Sequence, residues 1–258
     1  MHPVLFEAGP VTIYTYGFLI AIGAILGFLY MYRESKRLYG MSFDQANSLF
    51  ILLIAAGVIG GKFFMIFEDP SEYLSHPGRL FSSSGFVFYG SLLFCIPSML
   101  FFFRYHKLPT LGMLDVMAIV TCIVHAFGRL GCFMAGCCYG LPTDSFLGVI
   151  FSDPACQAKP LHTPLHPTQL YESSFILILM LGLLVLKARK KFDGQVFLLY
   201  LMMYAAGRSV IEIFRGDISR GFVIDGILSN SQLISLIMIA VAGYFYVKLN
   251  RKGNLGVR

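Results

Sequence analysis

Seven apolar stretches, each close to the roughly 20 residues a helix needs to cross a bilayer, are spaced along this chain and limit what it can become. Tyr14–Tyr32, Gly85–Phe103 and Ile227–Val247 carry no charge. Asn47–Phe67 is interrupted only by Lys62, and Leu111–Phe127 only by Asp115. Leu170–Leu186 contains Glu172, and Gly194–Phe214 contains Arg208 and Glu212. Only 13% of the 258 residues are charged, 57% are hydrophobic and mean hydropathy is +0.72. A soluble domain carries about 25% charge, so the expected fold is an all-α polytopic membrane protein with seven transmembrane helices. Residues 1–258 read as a single integral membrane domain, without internal repeat or low-complexity segment, and with a loop region at about 129–169.

Orientation follows from the basic residues in the connections. Arg33, Lys36, Arg37, Arg104, Lys107, Lys187, Arg189, Lys190, Lys191, Lys248, Arg251, Lys252 and Arg258 fall in one set of connections, 13 of the 20 Lys and Arg. That set is expected to be cytoplasmic, which puts the N-terminus outside and the C-terminus inside. Arg79, Arg129, Lys159, Arg208, Arg215 and Arg220 fall on the opposite face, with Lys62 inside a span. The net charge of +6 is then mostly an orientation signal, and a nucleic-acid partner is not expected. No basic segment precedes the first span, which therefore does not read as a cleaved signal peptide. Tyr14, Tyr16, Tyr30 and Tyr32 are placed to anchor its two ends at the interface.

On this topology Tyr16, Lys62, Tyr89, Arg129, Tyr171, Glu172, Arg208, Glu212 and Arg215 lie at or near the outer ends of six spans. A charge at bilayer depth costs roughly 2.5–3.5 kcal/mol on insertion scales, so such residues usually serve a function. Polar groups drawn from so many helices imply a shared cavity open to the outer leaflet, locally cationic and suited to a phospholipid headgroup. Arg208, Glu212 and Arg215 recur at i, i+4 and i+7 on one helical face. Guanidinium suits bidentate phosphate binding better than ammonium does. Plainer readings stand beside these: Arg129 as a snorkelling arginine that ends a span, and Arg208 with Glu212 as a structural salt bridge. His166-Pro167-Thr168-Gln169-Leu170-Tyr171-Glu172 opens the fifth span, with Pro167 suited to a first helical turn. The Glu172 carboxylate needs a partner there, and Arg129 can supply it.

The six cysteines divide by position. Cys95 and Cys122 lie in spans and read as apolar filler. Cys132, Cys137, Cys138 and Cys156 lie on the outer side. They leave open a disulfide from Cys156 to Cys137 or Cys138, a catalytic nucleophile, or zinc. The Cys-x4-Cys-Cys spacing lacks the usual paired C-x2-C ligands.

Taken in order, several segments resemble the prolipoprotein diacylglyceryl transferases of bacterial inner membranes. These are Tyr16-Gly17, Gly60-Gly61-Lys62, Gly85-Phe86-Val87-Phe88-Tyr89-Gly90 and Gly128-Arg129-Leu130-Gly131-Cys132-Phe133. His166–Glu172, Arg208-x3-Glu212-x2-Arg215-x-Asp217 and Leu228-Ser229-x2-Gln232 complete the set. The resemblance implies seven helices, an N-terminus outside, and transfer of diacylglycerol from phosphatidylglycerol to the lipobox cysteine of a preprolipoprotein. It implies glycerol 1-phosphate as by-product and no metal or other cofactor. The family's essential arginines fall on Arg129 and Arg208, with Arg215 as a further position. This chain carries a Cys-rich variant of the signature. The family's common His-Gly-Gly reads Tyr89-Gly90-Ser91, its usual Asn is Cys132, and its usual acid is Cys137.

On that resemblance Arg129 and Arg208 hold the phosphate as negative charge develops on it. Glu212 and Arg215 orient them, and Tyr89 donates a hydrogen bond to the lipid. Tyr16, Lys62, Tyr171, Glu172, His166 and Cys132 are expected to contact substrate. His125, His166 or Glu172 is left to accept the thiol proton. Two other classes remain: a divergent paralogue moving another phospholipid-derived group, and a transporter with a cationic outer vestibule. The apolar inner halves of most spans and the solitary Asp115 argue against a through-pathway.

Overall fold

The computed structural model describes residues 1–9, 11–81, 85–215, 222–224 and 228–255. Asp217, Arg220 and Arg258, named above, lie outside them. Seven helices of 18 residues or more are described: α1 (Thr15–Tyr39), α2 (Phe43–Phe63), α5 (Phe88–Tyr105), α6 (Thr110–Ala135), α7 (Thr168–Lys187), α8 (Gln195–Glu212) and α9 (Asn230–Leu255). Two short helices, α3 (Met65–Glu68) and α4 (Pro70–Ser75), follow α2. The strands form three small antiparallel pairs: β1 (Val4–Ala8) with β2 (Val11–Tyr14), β3 (Val149–Ile150) with β4 (Pro164–Leu165), and β5 (Phe222–Ile224) with β6 (Leu228–Ser229).

Six of the seven long helices are long and apolar enough to cross a membrane. The seventh, α8, has the length but carries Arg208 and Glu212 in its last two turns. The protein is thus an all-α polytopic membrane protein. The surface pattern fits a hydrocarbon solvent: Ile178, Leu181 and Val185 on α7 are 60–69% exposed, whereas Glu172 and Ser173 on the same helix are buried. Helices in lipid associate through packing and polar contacts, since outward-facing apolar side chains lose nothing there.

Local sequence sets the ends. Ser42 caps α2 in a capping box, its hydroxyl accepting from Gln45 N at 3.2 Å while Gln45 Oε1 accepts from Ser42 N at 3.0 Å. Asp69 caps α4, with Pro70 at its first position. Pro97 lies inside α5, which continues through it.

The chain divides into two compact units. One comprises Met31–Met113. There α2 and α5 approach closely where Gly60 faces Gly90: a Cβ on either would lie 2.4 Å from the other's carbonyl oxygen. That proximity lets Ser91 Oγ donate to Gly57 O at 2.8 Å and Cys95 Sγ to Leu53 O at 3.3 Å. Cys95 therefore makes a polar contact beyond its expected role as filler.

The other unit comprises Met1–Tyr30 and Leu114–Arg258. Its core joins Ala118, Ile119, Cys122 and Ala126 of α6 to Ile176, Leu179 and Leu183 of α7 and Val196 and Tyr200 of α8. Asp115, solitary in sequence, has a structural role. It is 2% exposed and accepts from Gly194 N and Phe197 N, both at 2.9 Å, so it satisfies orphan donors at the start of α8. Lys190 Nζ, 3.1 Å from Asp115, neutralises it. A second small core of Phe151, Cys156, Ala158 and Leu165 lies within the loop between α6 and α7.

Candidate active site

The carboxylate of Glu172 lies at the centre of a polar cluster inside the second unit, fully buried one turn into α7. An isolated carboxylate there would be prohibitive, so each oxygen is partnered. Arg129, in the last two turns of α6, places Nε 3.0 Å from Glu172 Oε2. His125 sits one turn earlier on the same face of α6, with Nε2 3.3 Å from Glu172 Oε1 and 3.3 Å from Arg129 Nε. Tyr204 on α8 donates its hydroxyl to Glu172 Oε1 at 3.0 Å, its ring 5.3 Å from that of His125. The Arg129–Glu172 pair expected from the sequence thus forms, and Arg129 does not merely snorkel.

Arg208 follows Tyr204 by four residues, so the α-helical repeat places it beside this group. Its Nη2 lies 2.6 Å from Glu212 Oε2, and both side chains are about nine-tenths buried. The salt bridge foreseen as the plainer reading is present. It does not exhaust the guanidinium, because Arg208 Nη1 is buried without a hydrogen-bond partner among the described residues. Arg215, one turn beyond α8 and 9% exposed, pairs through its backbone with Gly140 in an isolated β-bridge. Among the described residues, three guanidiniums and two carboxylates meet here in an apolar surrounding.

The segment after α6 is fastened to this cluster by the start of α7. Thr168 Oγ1 donates to Cys138 O at 2.7 Å and Gln169 Nε2 to Cys137 O at 2.6 Å, both side chains only 1% exposed. Gly140 N donates to His166 O at 2.8 Å, and Leu141 N to Phe214 O at 3.0 Å. His166 Nδ1 lies 3.1 Å from the Tyr171 hydroxyl, and both rings meet Phe214, at 5.4 and 6.1 Å. The His166–Glu172 motif is therefore both a helix start and a clamp.

Helix α6 ends in a Schellman motif. Gly136, at φ +71°, takes the left-handed position; its N–H donates to Phe133 O at 3.2 Å and Cys137 N–H to Cys132 O at 3.1 Å. This termination folds the residue after the glycine back over the residue five earlier, which places Cys137 beside Cys132. Cys138 is also left-handed, at φ +63°. The three sulfurs lie within 4.8 Å of one another. Cys137 Sγ donates to Cys132 O at 3.7 Å; the Cys132 and Cys137 thiols beside Cys138, with Arg129 and Arg215 close by, hold the Cys138 thiol below its usual range. The disulfide from Cys156 to Cys137 or Cys138 does not form: all six cysteines are free, and Cys156 packs in the small loop core against Gly136. Burial pushes its thiol up.

Tyr16, at the start of α1, lies against Gly131, whose Cβ would be 2.9 Å from the Tyr16 ring. Lys62 and Tyr89 belong to the other unit. Lys62 occupies the last turn of α2, and Tyr89 lies in the first turn of α5, 66% exposed. Arg129, Glu172, Arg208, Glu212, Arg215, His166, Tyr171, Cys132 and Tyr16 all belong to the larger unit. Sequence reading missed Tyr204, whose only signal is its position four residues before Arg208. It likewise missed the clamping parts of Thr168 and Gln169.

The family model described as prolipoprotein diacylglyceryl transferase matches residues 3–248. The chain belongs to this family. A phosphatidylglycerol–prolipoprotein diacylglyceryl transferase of Clostridium tetani (strain Massachusetts / E88) is 36% identical over 252 residues, covering 97% of this chain and 98% of the relative. A second, numbered 2, from Clostridium perfringens (strain 13 / Type A) is 34% identical over 254 residues, covering 97% and 96%. One from Dehalococcoides mccartyi (strain ATCC BAA-2266 / KCTC 15142 / 195) is 32% identical over 252 residues, covering 98% and 95%. This prolipoprotein diacylglyceryl transferase family member is a multi-pass membrane protein.

Proposed function

We propose that this chain transfers the diacylglyceryl group of phosphatidylglycerol to the lipobox cysteine thiol of a preprolipoprotein, releasing glycerol 1-phosphate. The observation that carries the reading is the paired Arg129–Glu172 and Arg208–Glu212 cluster, with a buried guanidinium nitrogen of Arg208 left over for a ligand. The names of the curated relatives, over nearly the whole chain, point to the same substrates.

The chemistry follows from the arrangement. The thiolate displaces a phosphate ester at a glycerol carbon, and the leaving phosphate needs charge stabilisation more than a proton. Donors fixed in a water-poor site stabilise developing charge far better than water does. Arg208 presents its unpaired nitrogen to the phosphate, and Arg129 adds a second guanidinium. Glu172 and Glu212 hold the arginines in place, and Arg215 closes the site beside the Cys138 loop. Glu172, held by a guanidinium, an imidazole and a phenol, is a positioning residue and not the proton acceptor. His125 and His166 are the imidazoles able to take that role. Tyr16, Tyr171 and Cys132 line the approach.

The basic connections support placement in a bacterial cytoplasmic membrane, with the N-terminus outside, the C-terminus inside and the site facing the outer leaflet. The test is mass spectrometry of a lipobox peptide incubated with phosphatidylglycerol vesicles and purified protein. A diacylglyceryl adduct made by the parent and lost in Arg129→Ala is expected. No adduct from folded, lipid-bound parent would sink the reading.

A further inference from the structure

Three thiols meet at the end of α6, and the reaction outlined above assigns two of them nothing. The Cys132, Cys137 and Cys138 sulfurs lie within 4.8 Å of one another, all partly buried. Tetrahedral zinc binds thiolate at about 2.3 Å, which separates its sulfurs by about 3.8 Å. Closing this set on a metal therefore requires each sulfur to move by an ångström or less.

The backbone is committed to that convergence. The Schellman end at Gly136 brings Cys137 onto Cys132, so Cys-x4-Cys is a ligand pair made by a helix terminus. The left-handed conformation of Cys138, costly for a non-glycine residue, is held by bonds from Thr168 and Gln169 to the carbonyls of Cys138 and Cys137. Those bonds occupy carbonyl oxygens and leave the sulfurs free of Thr168 and Gln169; Cys137 Sγ makes a weak bond, to Cys132 O at 3.7 Å. Arg129 and Arg215 lie within electrostatic reach of Cys138. Three thiolates and a divalent cation sum to one negative charge, a sign that neighbouring guanidiniums favour.

We propose that Cys132, Cys137 and Cys138 bind one zinc ion and leave its fourth position for an incoming thiol. Among the described residues no further His, Cys, Asp or Glu joins the set. Four protein ligands mark structural zinc, whereas three with an open position mark catalytic zinc. The role at the open position rests on the transferase reading. The substrate thiol gives its proton to one of the imidazoles named above, His125 or His166, as its sulfur binds zinc, and the bound thiolate remains a nucleophile at neutral pH. Its attack forms the carbon–sulfur bond while the carbon–oxygen bond to phosphate breaks, the electron pair leaving on the phosphate oxygen. The thioether then dissociates and the position reopens. No oxidant or reductant is needed.

The experiment uses full-length protein in detergent with thiols kept reduced, loaded with zinc and washed. Plasma mass spectrometry is expected to find one zinc per chain, falling at least tenfold in Cys132→Ser, Cys137→Ser and Cys138→Ser. Cys95→Ser, whose hydroxyl can still donate to Leu53 O, keeps it. Thermal unfolding of the metal-free proteins identifies any variant that fails to fold. X-ray absorption is expected to count three sulfurs, rising to four with a lipobox peptide thiol. Zinc near zero in the parent, or unchanged in all three serine variants, overturns the site. A sulfur count that stays at three overturns the open position. Zinc-free protein that still makes adduct at full rate overturns the metal's role and leaves the transferase reading intact. Zinc and the fourth sulfur without any adduct refutes the transferase reading and leaves the metal site standing.

Discussion

Replacing Glu172 by Gln isolates the value of its charge. Glu172 is fully buried, and its Oε1 accepts from Tyr204 at 3.0 Å while Oε2 faces Arg129 Nε at 3.0 Å. Glutamine keeps an acceptor for Tyr204 and much the same volume, so little packing is lost. What is lost is the counter-charge, leaving the Arg129 guanidinium buried against a neutral amide. Removing one partner of a buried pair costs about 3–5 kcal/mol. The retained Tyr204 bond places Glu172→Gln near the lower end, about 3 kcal/mol, or about a hundredfold in the folding equilibrium. Arg129→Met, which strands the carboxylate instead, should cost about as much. Making both changes removes the two charges together, so the double variant should cost less than the sum by at least about 2 kcal/mol. The assay is reversible unfolding in mixed detergent micelles for the four proteins of the cycle. Additivity within about 0.5 kcal/mol would refute the claim that Glu172 positions Arg129 through their ion pair.

Other perturbations have outcomes of their own. Asp115→Ala strands the N–H groups of Gly194 and Phe197 and leaves Lys190 without this partner, so it should destabilise by about 2–4 kcal/mol in the same unfolding assay; a change below about 0.5 kcal/mol would remove Asp115 as a cap. Gly90→Ala drives a Cβ to 2.4 Å from Gly60 O, and the facing backbone cannot yield cheaply. Its thermal midpoint should fall by several degrees, for about 1–3 kcal/mol, whereas an unchanged midpoint would mean the helices do not meet there. Gln169→Leu removes the donor to Cys137 O but also a buried, unpartnered Oε1, so stability should drop by only about 1 kcal/mol. Its adduct-forming rate should fall far more, and equal losses in both readouts would argue against a clamping role.

Much of this architecture is legible in sequence because hydrocarbon leaves a helix few choices. A run without charge must pair its own backbone, so the seven long helices lie where the apolar runs do, six of them apolar enough to cross a membrane. The ends were harder: α1 runs to Tyr39, beyond the Tyr32 at which apolar counting stops, because a helix continues readily into interfacial water. The Arg129–Glu172 pair was legible because a buried carboxylate must find a cation. Tyr204 was not, since one tyrosine among 14 carries no mark until its neighbour on α7 is known. Asp115 looked solitary because its partners, two backbone N–H groups at the start of α8 and Lys190, lie far along the chain. The cysteine cluster was discounted for lacking C-x2-C spacing, although Ala135-Gly136-Cys137 after a long helix is a helix-stop signal that brings residues five apart together.

The central claim is that the buried arginines draw phosphate away from a glycerol carbon as a thiol attacks it. The most direct measurement follows both products of one reaction, using phosphatidylglycerol vesicles, a lipobox peptide and the purified protein, beside Arg208→Ala and Arg208→Lys. The account predicts thioether-linked diacylglyceryl peptide and soluble glycerol phosphate in equal amounts, both falling about a hundredfold or more without the Arg208 guanidinium. Lysine should not restore them, because an ammonium cannot pair with Glu212 and still offer a planar donor to phosphate. Unequal products, or undiminished yields in Arg208→Ala, would contradict it.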